Sequence, residues 1–512
     1  MTIKTQILRD FRQINFGYTS AEQEGVDAPE LLLDGYLDIH GISDAAFMGK
    51  EFLVLGYKGT GKSAVAERLR LMHQNDSQIF LTQINLEEFP YASFSQVVKN
   101  NDSPESKYPA AWSWILLIYI MASFVKDQLM HHPNHEAFDD TISALKEMGL
   151  MPIPGLHKIV RYSSKSTFKL TIPKFLESSR EKNEIESSIT AYVENLKKLV
   201  CDVRTESKHL IVIDGLDEIV TNETSQWSSL GALIFEVNRL NILFKKNSVS
   251  AKIVLLCRTD IFELIAGANK NKIRQDSSVE LDWYSDPNAP SKSMLAKIAN
   301  LRARLAFGCD IDIFQDIIPR RIYRGKYKRL GKDGRSTIKV LLDTTRHTPR
   351  DFLQLLKYIQ KCCSGPSITE DNVKSGMREY SIKYFFPEIL DELEGYCTGE
   401  EAKEFFQVVG SMRSREFSAS QLHKAAASEQ SILSKEKIDT VLRALFECSA
   451  IGNVQKQGQG RHFLTYRFRN RHATFNMKET ILLHRGLWRA LNMPSDPNWD
   501  DETVDPEKLN PA

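Results

Sequence analysis

Residues 52–63 read FLVLGYKGTGKS. An apolar run closes on Gly56, a loop of turn residues follows, and the next stretch, AVAERLRLM from Ala64, has a helical period. The eight residues Gly56, Tyr57, Lys58, Gly59, Thr60, Gly61, Lys62 and Ser63 satisfy the spacing G-x-x-x-x-G-K-[ST] in the strand–loop–helix context the motif needs. The glycines let successive backbone N–H groups wrap a phosphate, and the helix N-terminus adds partial positive charge. A lysine at position 62 reaches the β- and γ-phosphates, and a hydroxyl at position 63 ligates Mg²⁺. The stretch therefore predicts ATP or ADP with Mg²⁺ as the ligand, and a strand before the loop with a helix after it.

Outward from this loop the same strand signal recurs. Phe52–Leu55 (FLVL), Ile79–Leu86 (IFLTQINL), Leu210–Ile213 (LIVI), Ile253–Leu256 (IVLL) and, more weakly, Val279–Trp283 (VELDW) are short apolar runs. They alternate with helical patterns at Ser63–Gln74, Trp112–Gln128, Ile185–Val203 and Gln226–Phe244. Continuous apolar strands between helices predict a parallel sheet covered on both faces. Residues 130–180, with PIPG at 152–155 and SSKS at 163–166, interrupt the alternation as an insertion.

Two of these strands end in chemistry. HLIVIDGLDE at 209–218 closes a strand on Asp214, a carboxylate suited to Mg²⁺. The next residue is Gly215, so the carboxylate that orients the attacking water is expected at Asp217 or Glu218, with slow hydrolysis; as caps of the following helix these two residues would look the same. KIVLLCRTD at 252–260 puts Arg258 at a strand end, where its fork suits a γ-phosphate, an ordinary surface ion pair being the alternative. In TRHTPRDFLQLL at 345–356, Pro349 and Arg350 open a helix; Arg350 is a second candidate for sensing the nucleotide, or a solvent-facing arginine in a first turn.

The combination GYKGTGKS, LIVIDGLDE, LLCRTD and HTPRDF resembles the bacterial STAND/KAP and ORC-like branch of AAA+-related P-loop ATPases, over about residues 15–360. Within that branch, LVLGYKGTGKSA resembles the FunZ-type P-loop ATPases. The resemblance implies an ASCE/AAA+-like P-loop NTPase of the α/β class with a helical lid. It implies an ATP-driven switch, often oligomeric, acting in bacterial defence or stress response beside an effector protein. By analogy, Phe16 and Gly17 of FGYTSAEQE would line the adenine pocket.

The expected organisation is an N-terminal segment at 1–48 completing the nucleotide pocket, an ATPase core at 49–290 and a helical lid at 291–398. A winged helix follows at 399–490 and an acidic tail at 491–512. The winged-helix expectation rests on three helices, Glu401–Met412, Ser418–Ser428 (N-capped by Ser418) and Ser434–Cys448, before the hairpin pattern NVQKQGQGRHFLTYRFRN. ORC-like ATPases often carry this module after the lid. MKETILLHRGLWRALN, further on, reads as one more helix packing back on the body, with His484 and Trp488 structural.

Charge and composition limit the function classes. The 512 residues carry a formal net charge of +1, with 42% hydrophobic and 26% charged residues, so disordered and polyionic classes are excluded for the whole chain. The charge is nevertheless uneven. Residues 401–490 hold 15 Lys and Arg against 8 Asp and Glu, a net of +7. RRIYRGKYKRLGK at 320–332 has seven basic residues in 13, with Tyr323 and Tyr327 interleaved. That loop suits a nucleic-acid backbone, an arginine finger for a neighbouring subunit, or a merely solvated surface. In the winged helix, Lys435, Lys437 and Arg443 on the third helix, with Arg461, Arg467, Arg469 and Arg471 on or after the wing, suit DNA; a protein contact is the equal alternative. Seven cysteines without metal-ligand spacing point to a reducing cytoplasm. Ala110–Val125 is uncharged, but its length and composition predict a buried core helix rather than a membrane span. The expected activity is ATP hydrolysis; the alternative is a non-catalytic, nucleotide-dependent scaffold that oligomerises and recruits an effector such as a nuclease.

Overall fold

A computed structural model describes residues 10–87, 89–94, 96–97, 104–153, 155–165, 171, 173, 189–216, 224–267, 269–285, 289–323, 334–456 and 462–493. The chain forms two compact units. One comprises Ala21–Leu33 with Asp38–Asp282, the other Met1–Ser20, Asp34–Leu37 and Trp283–Ala512. The N-terminal segment is thus divided between the two.

The first unit is built on five strands: β1 (Leu53–Gly56), β2 (Ile79–Asn85), β3 (Lys208–Asp214), β4 (Ala251–Arg258) and β5 (Ser278–Glu280). All pair in parallel, in the order β2-β3-β4-β1-β5. Each of the apolar runs seen in the sequence becomes one of these strands. Consecutive residues of β1, β3 and β4 are buried, so both faces of the sheet are covered. On one face Leu53, Leu55, Ile211, Ile213, Ile253 and Leu255 join a core with the helices Pro104–Val125, Ile189–Asp202 and Thr224–Lys246. The intervening Val54, Val212, Val254 and Leu256 are buried outside that cluster, and the helix Lys62–His73, with Val65 and Leu69 buried, packs against β1 to β4.

The apolar stretch that resembles a membrane span is the spine of this core. Lys107–Val125 is long and apolar enough to cross a membrane, yet 78% of that window is buried inside the protein. Its helix begins at Pro104, earlier than the Trp112 start read from the sequence, and carries Pro109 inside it. Pro109 is the sixth residue of this helix, past the donors that lack intrahelical partners, so it takes one i→i−4 bond out of the ladder. At the far end of the helix, Ser123 Oγ lies 2.7 Å from His209 Nδ1, and Asp127 Oδ2 lies 3.3 Å from His209 Nε2. All three residues are buried, so this Ser–His–Asp set offers no nucleophile to solvent. Burial, opposed by Asp127, lowers the His209 pKa. The segment read as an insertion contributes two helices, His135–Glu147 and Leu156–Ser164, between β2 and β3.

The second unit carries the helices Met294–Phe307, Thr337–Asp343, Pro349–Lys361, Glu370–Tyr380 and Phe386–Glu392. Its N-terminal strip is tied to them. Arg302 Nη1 donates to Phe16 O at 2.6 Å, Lys357 Nζ to Gly17 O at 2.6 Å, and Gln360 Nε2 to Phe11 O and Ile14 O. A short ribbon of β6 (Arg321–Ile322) and β7 (Arg335–Ser336) flanks residues 324–333, so most of the basic stretch 320–332 lies outside the described residues. The acidic tail from residue 494 lies outside them as well.

The unit ends in a winged helix. Helices Gly399–Ser411, Ala419–Ser428 and Lys435–Glu447 are each N-capped by a hydroxyl: Thr398, Ser418 and Ser434. Strands β8 (Glu416–Phe417), β9 (Ile451–Lys456), β10 (His462–Thr465) and β11 (Thr480–Leu483) form an antiparallel sheet in the order β10-β9-β11-β8. The segment expected as a final helix is instead β11 followed by the single turn Arg485–Leu487. The reason is pairing: Ile481 faces both Asn453 and Phe417, so TILL closes the gap between β9 and β8. His484 then caps the turn, accepting from Gly486 N–H at 3.1 Å, and Trp488 Nε1 donates to Leu483 O. Both residues are buried and structural, as their sequence context indicated.

Candidate nucleotide site

The loop after β1 has the geometry its composition calls for. Gly59 and Gly61 adopt φ of +80° and +96°, left-handed values that glycine reaches without strain. Gly61 starts the helix Lys62–His73, and no side chain caps that helix. Its first N–H groups are therefore not taken up by a cap and face the loop's concavity, a cradle for phosphate. A Cβ on Gly56 would fall on Thr60 Oγ1, which bonds Tyr57 O at 2.8 Å and holds the loop closed. Lys62 is only 3% exposed, and its Nζ donates to Tyr57 O at 3.3 Å. Tyr57, Lys58 and Ser63 are partly exposed along the same loop and first turn.

The strand register brings two further candidates, Asp214 and Arg258, to the same edge. Gly56 on β1 pairs with Arg258 on β4, and Ile213 pairs with Leu255, so Asp214 ends β3 at the carboxyl edge of the sheet. In parallel α/β sheets that edge is where ligands bind. Asp214 Oδ1 accepts from Gly215 N–H at 2.8 Å, and Asp214 pairs with Asn85, the last residue of β2. Gly215 has φ +83°, and a Cβ there would run into Asn85 Oδ1 and the N–H groups of Leu86 and Glu87. An acid directly after Asp214 would be strained by this backbone and would have to displace its neighbours. Asp217 and Glu218, the expected water-orienting carboxylates, lie outside the described residues.

Arg258 is held by a neighbour that motif reasoning passed over. Its Nε donates to Asp260 Oδ1 at 3.0 Å and its Nη2 to Asp260 Oδ2 at 2.5 Å. Burial works to raise the Asp260 pKa, but Arg258, and behind it Lys62, hold the carboxyl below the ordinary carboxylate range. The signal was present in CRTD, as an acid two residues after the arginine. Asn85 was missed too, because a polar residue at a strand end has no motif of its own.

Arg350 belongs to the other unit. It is the second residue of the helix Pro349–Lys361, partly exposed, with Thr348 as the N-cap accepting from Asp351 N–H. Among the described residues its guanidinium makes no hydrogen bond or ion pair. The arginine four residues earlier, Arg346, does the structural work: it pairs with Asp351 at 2.9 Å and Glu392 at 2.5 Å. In the winged helix, Lys435 and Arg443 are exposed, as is Arg471. Lys437 bonds Glu401 at 3.1 Å, Arg467 pairs with Glu447 at 3.1 Å and donates to Ala473 O, and Arg469 lies over Tyr466 and Phe468. Those three are engaged within the module rather than presented whole to a ligand. Arg461 lies outside the described residues.

A strand, a glycine loop and a lysine-led helix on a β2-β3-β4-β1-β5 parallel sheet define a P-loop NTPase fold, and the same chain carries a winged helix. No family model and no curated protein matches the chain. Among solved structures it is similar to the Aeropyrum pernix ORC1 protein in complex with DNA, at 13% identity and TM-score 0.40, covering 91% of this chain and 94% of that one. Cdc6p from Pyrobaculum aerophilum follows at 10% identity and TM-score 0.31 over 93% and 97%. Drosophila ORC bound to DNA matches at 11% and 0.27 over 92% and 96%. At these scores the likeness adds nothing to what the strand order establishes.

The residues also fit the group such a fold holds. Left-handed glycines and an uncapped helix start suit a triphosphate, and a hydroxyl with a strand-end carboxylate, Ser63 and Asp214, is the hard-oxygen donor set that Mg²⁺ takes. Among the described residues no cluster of three or more His, Cys, Asp or Glu suits a metal ion.

Proposed function

We propose that the chain is an ATP-binding and ATP-hydrolysing molecular switch. The observation that carries this reading is the Gly56–Ser63 loop, with Gly59 and Gly61 left-handed, Lys62 buried beneath it and Asp214 at the same sheet edge. Mg²⁺ held by Ser63 and Asp214 supplies charge neutralisation at the phosphates. Lys62 binds the β- and γ-phosphates, and the loop N–H groups hold them in place. Arg258 senses the γ-phosphate. Asp217 or Glu218 orients water, and the strain an acid would meet at position 215 supports an offset, slow hydrolytic arrangement.

In this reading the winged helix is the contact module for DNA or a partner protein, and the basic stretch at 320–332 adds a second contact. The sequence resemblance to STAND/KAP and FunZ-type ATPases supports a cytoplasmic, oligomeric switch in bacterial anti-phage defence or stress response, beside an effector protein. The test is phosphate release by the purified chain with and without DNA, alongside Lys62→Ala. Turnover should fall to background in the variant. Wild-type turnover persisting in Lys62→Ala overturns the site. The glycine at position 215 also favours one second reading, a scaffold that binds nucleotide without turning it over; steady, DNA-stimulated hydrolysis would exclude it.

A further inference from the structure

The sheet edge that bears the phosphate loop holds a second, fixed charge pair. Arg258 is the last residue of β4, opposite Gly56, and Asp260 follows in the first turn of the helix Thr259–Leu264. A carboxylate there is anchored by backbone on both sides and favoured by the helix dipole. Both its oxygens take one edge of the Arg258 guanidinium, through Nε and Nη2. The side chains are only 17% and 30% exposed, so the pair is shielded more than a surface ion pair.

A two-point clamp of this kind fixes the arginine's rotamer and the plane of its fork. Arginine has long, entropically costly freedom, and holding it in advance is what makes a phosphate contact selective rather than merely attractive. The acid also offsets charge. Asp260 lies close enough to Lys62 and Arg258 for both to hold its carboxyl below the ordinary range, so it offsets part of their charge at this edge.

We infer that Asp260 is a positioning residue, which orients Arg258 so that the site distinguishes ATP from ADP. The inference rests on the ATP-binding reading above. ADP lacks the phosphate that an oriented Arg258 would meet, so the loss on disorienting the arginine falls on ATP alone.

The experiment is a titration of the full-length protein with ATP and ADP in Mg²⁺, for the wild type, Asp260→Asn, Arg258→Gln and the double variant. Asp260→Asn should lower the ATP-to-ADP affinity ratio about tenfold, with ADP affinity within twofold of wild type. Arg258→Gln should lower the ratio as much, and the double variant no further, since one route is being cut twice. Thermal melting of each variant shows that it is folded; should Asp260→Asn fail to fold, Asp260→Ser replaces it. An unchanged ratio in Asp260→Asn, or a ratio that rises because the acid competes with the phosphate, overturns the inference while nucleotide binding itself stands. Additive losses in the double variant overturn it too. Failure of the wild type to bind either nucleotide removes the underlying reading, and the inference with it.

Discussion

At Gly215 the backbone turns with φ +83°, and the space a side chain would need is filled by Asn85 Oδ1 and two backbone nitrogens. A non-glycine residue held in such a conformation costs about 1–3 kcal/mol before any clash is counted. Gly215→Ala is expected to destabilise the first unit by at least that amount in urea denaturation. Gly215→Glu, which restores the acid that directly follows the strand-end Asp in many P-loop ATPases, is expected to lose stability without gaining turnover. A faster Gly215→Glu enzyme would contradict the account of the acidic strand end. At this scale the sequence was partly transparent. The glycine loop between β1 and the helix Lys62–His73 could be read from the sequence, because its glycine spacing and its strand–loop–helix context are specific. Asp260 and Asn85 could not be singled out, because their roles come from strand register, which brings together positions far apart in the chain.

Among elements, the most demanding is the start of the helix Pro349–Lys361. Arg346 and Asp351 are 8% and 1% exposed, bonded to each other, and Arg346 also reaches Glu392. Burial disfavours both charges, yet Asp351 and Glu392 hold the Arg346 pKa well above its usual value and Arg346 keeps that of Asp351 lowered. Removing one partner of a buried pair leaves the other uncompensated, so Asp351→Ala should cost about 3–5 kcal/mol, measured by chemical denaturation. Nearby His347 and His484 are buried, and burial pushes their pKa values down to about 4 and about 3. Such histidines stay neutral in the folded chain while the unfolded chain protonates below about 6.5. Stability is therefore unaffected above that pH and is lost as pH falls toward 4, by about 1.4 kcal/mol per pH unit for each histidine. His484→Asn keeps an acceptor for the Gly486 N–H and removes one titration. Melting temperatures between pH 7 and 5 should fall less steeply in this variant than in the wild type. None of this network was legible in HTPRDF, which announces a helix start but not the partner of each charge. The strand at 480–483 was misread for a related reason: Ile481, Leu482, Leu483, Leu487 and Trp488 satisfy a helical period, and only the open edge between β9 and β8 decides for a strand. By contrast, β1, β3 and β4 were legible because strands buried on both faces are apolar at every position, which a surface helix never is.

Taken over the whole molecule, a formal charge of +1 conceals a strongly uneven distribution, since residues 401–490 alone carry a net +7. Charge of that size invites a nucleic-acid reading; the ion pairs Lys437–Glu401 and Arg467–Glu447 are already balanced within that net, and among the described residues they decide which cations stay unpaired on the third helix. What the third helix presents is Lys435 and Arg443, interspersed with the exposed Glu436 and Glu447. A DNA complex made through this module should therefore involve few phosphates, and its affinity should fall with a shallow salt slope of about −0.9 per phosphate neutralised. Gel-shift titrations from low to physiological salt measure that slope. Lys435→Glu with Arg443→Glu should weaken DNA binding at least tenfold and flatten the slope by about two phosphates' worth. Lys437→Ala should leave the slope unchanged and act only on stability, because its ammonium is already paired. Equal effects of Lys437→Ala and of the charge-reversed pair would mean that the third helix does not face the DNA. A winged helix whose charge-reversed form binds DNA as well as the wild type, yet loses a protein partner, would assign this surface to protein docking.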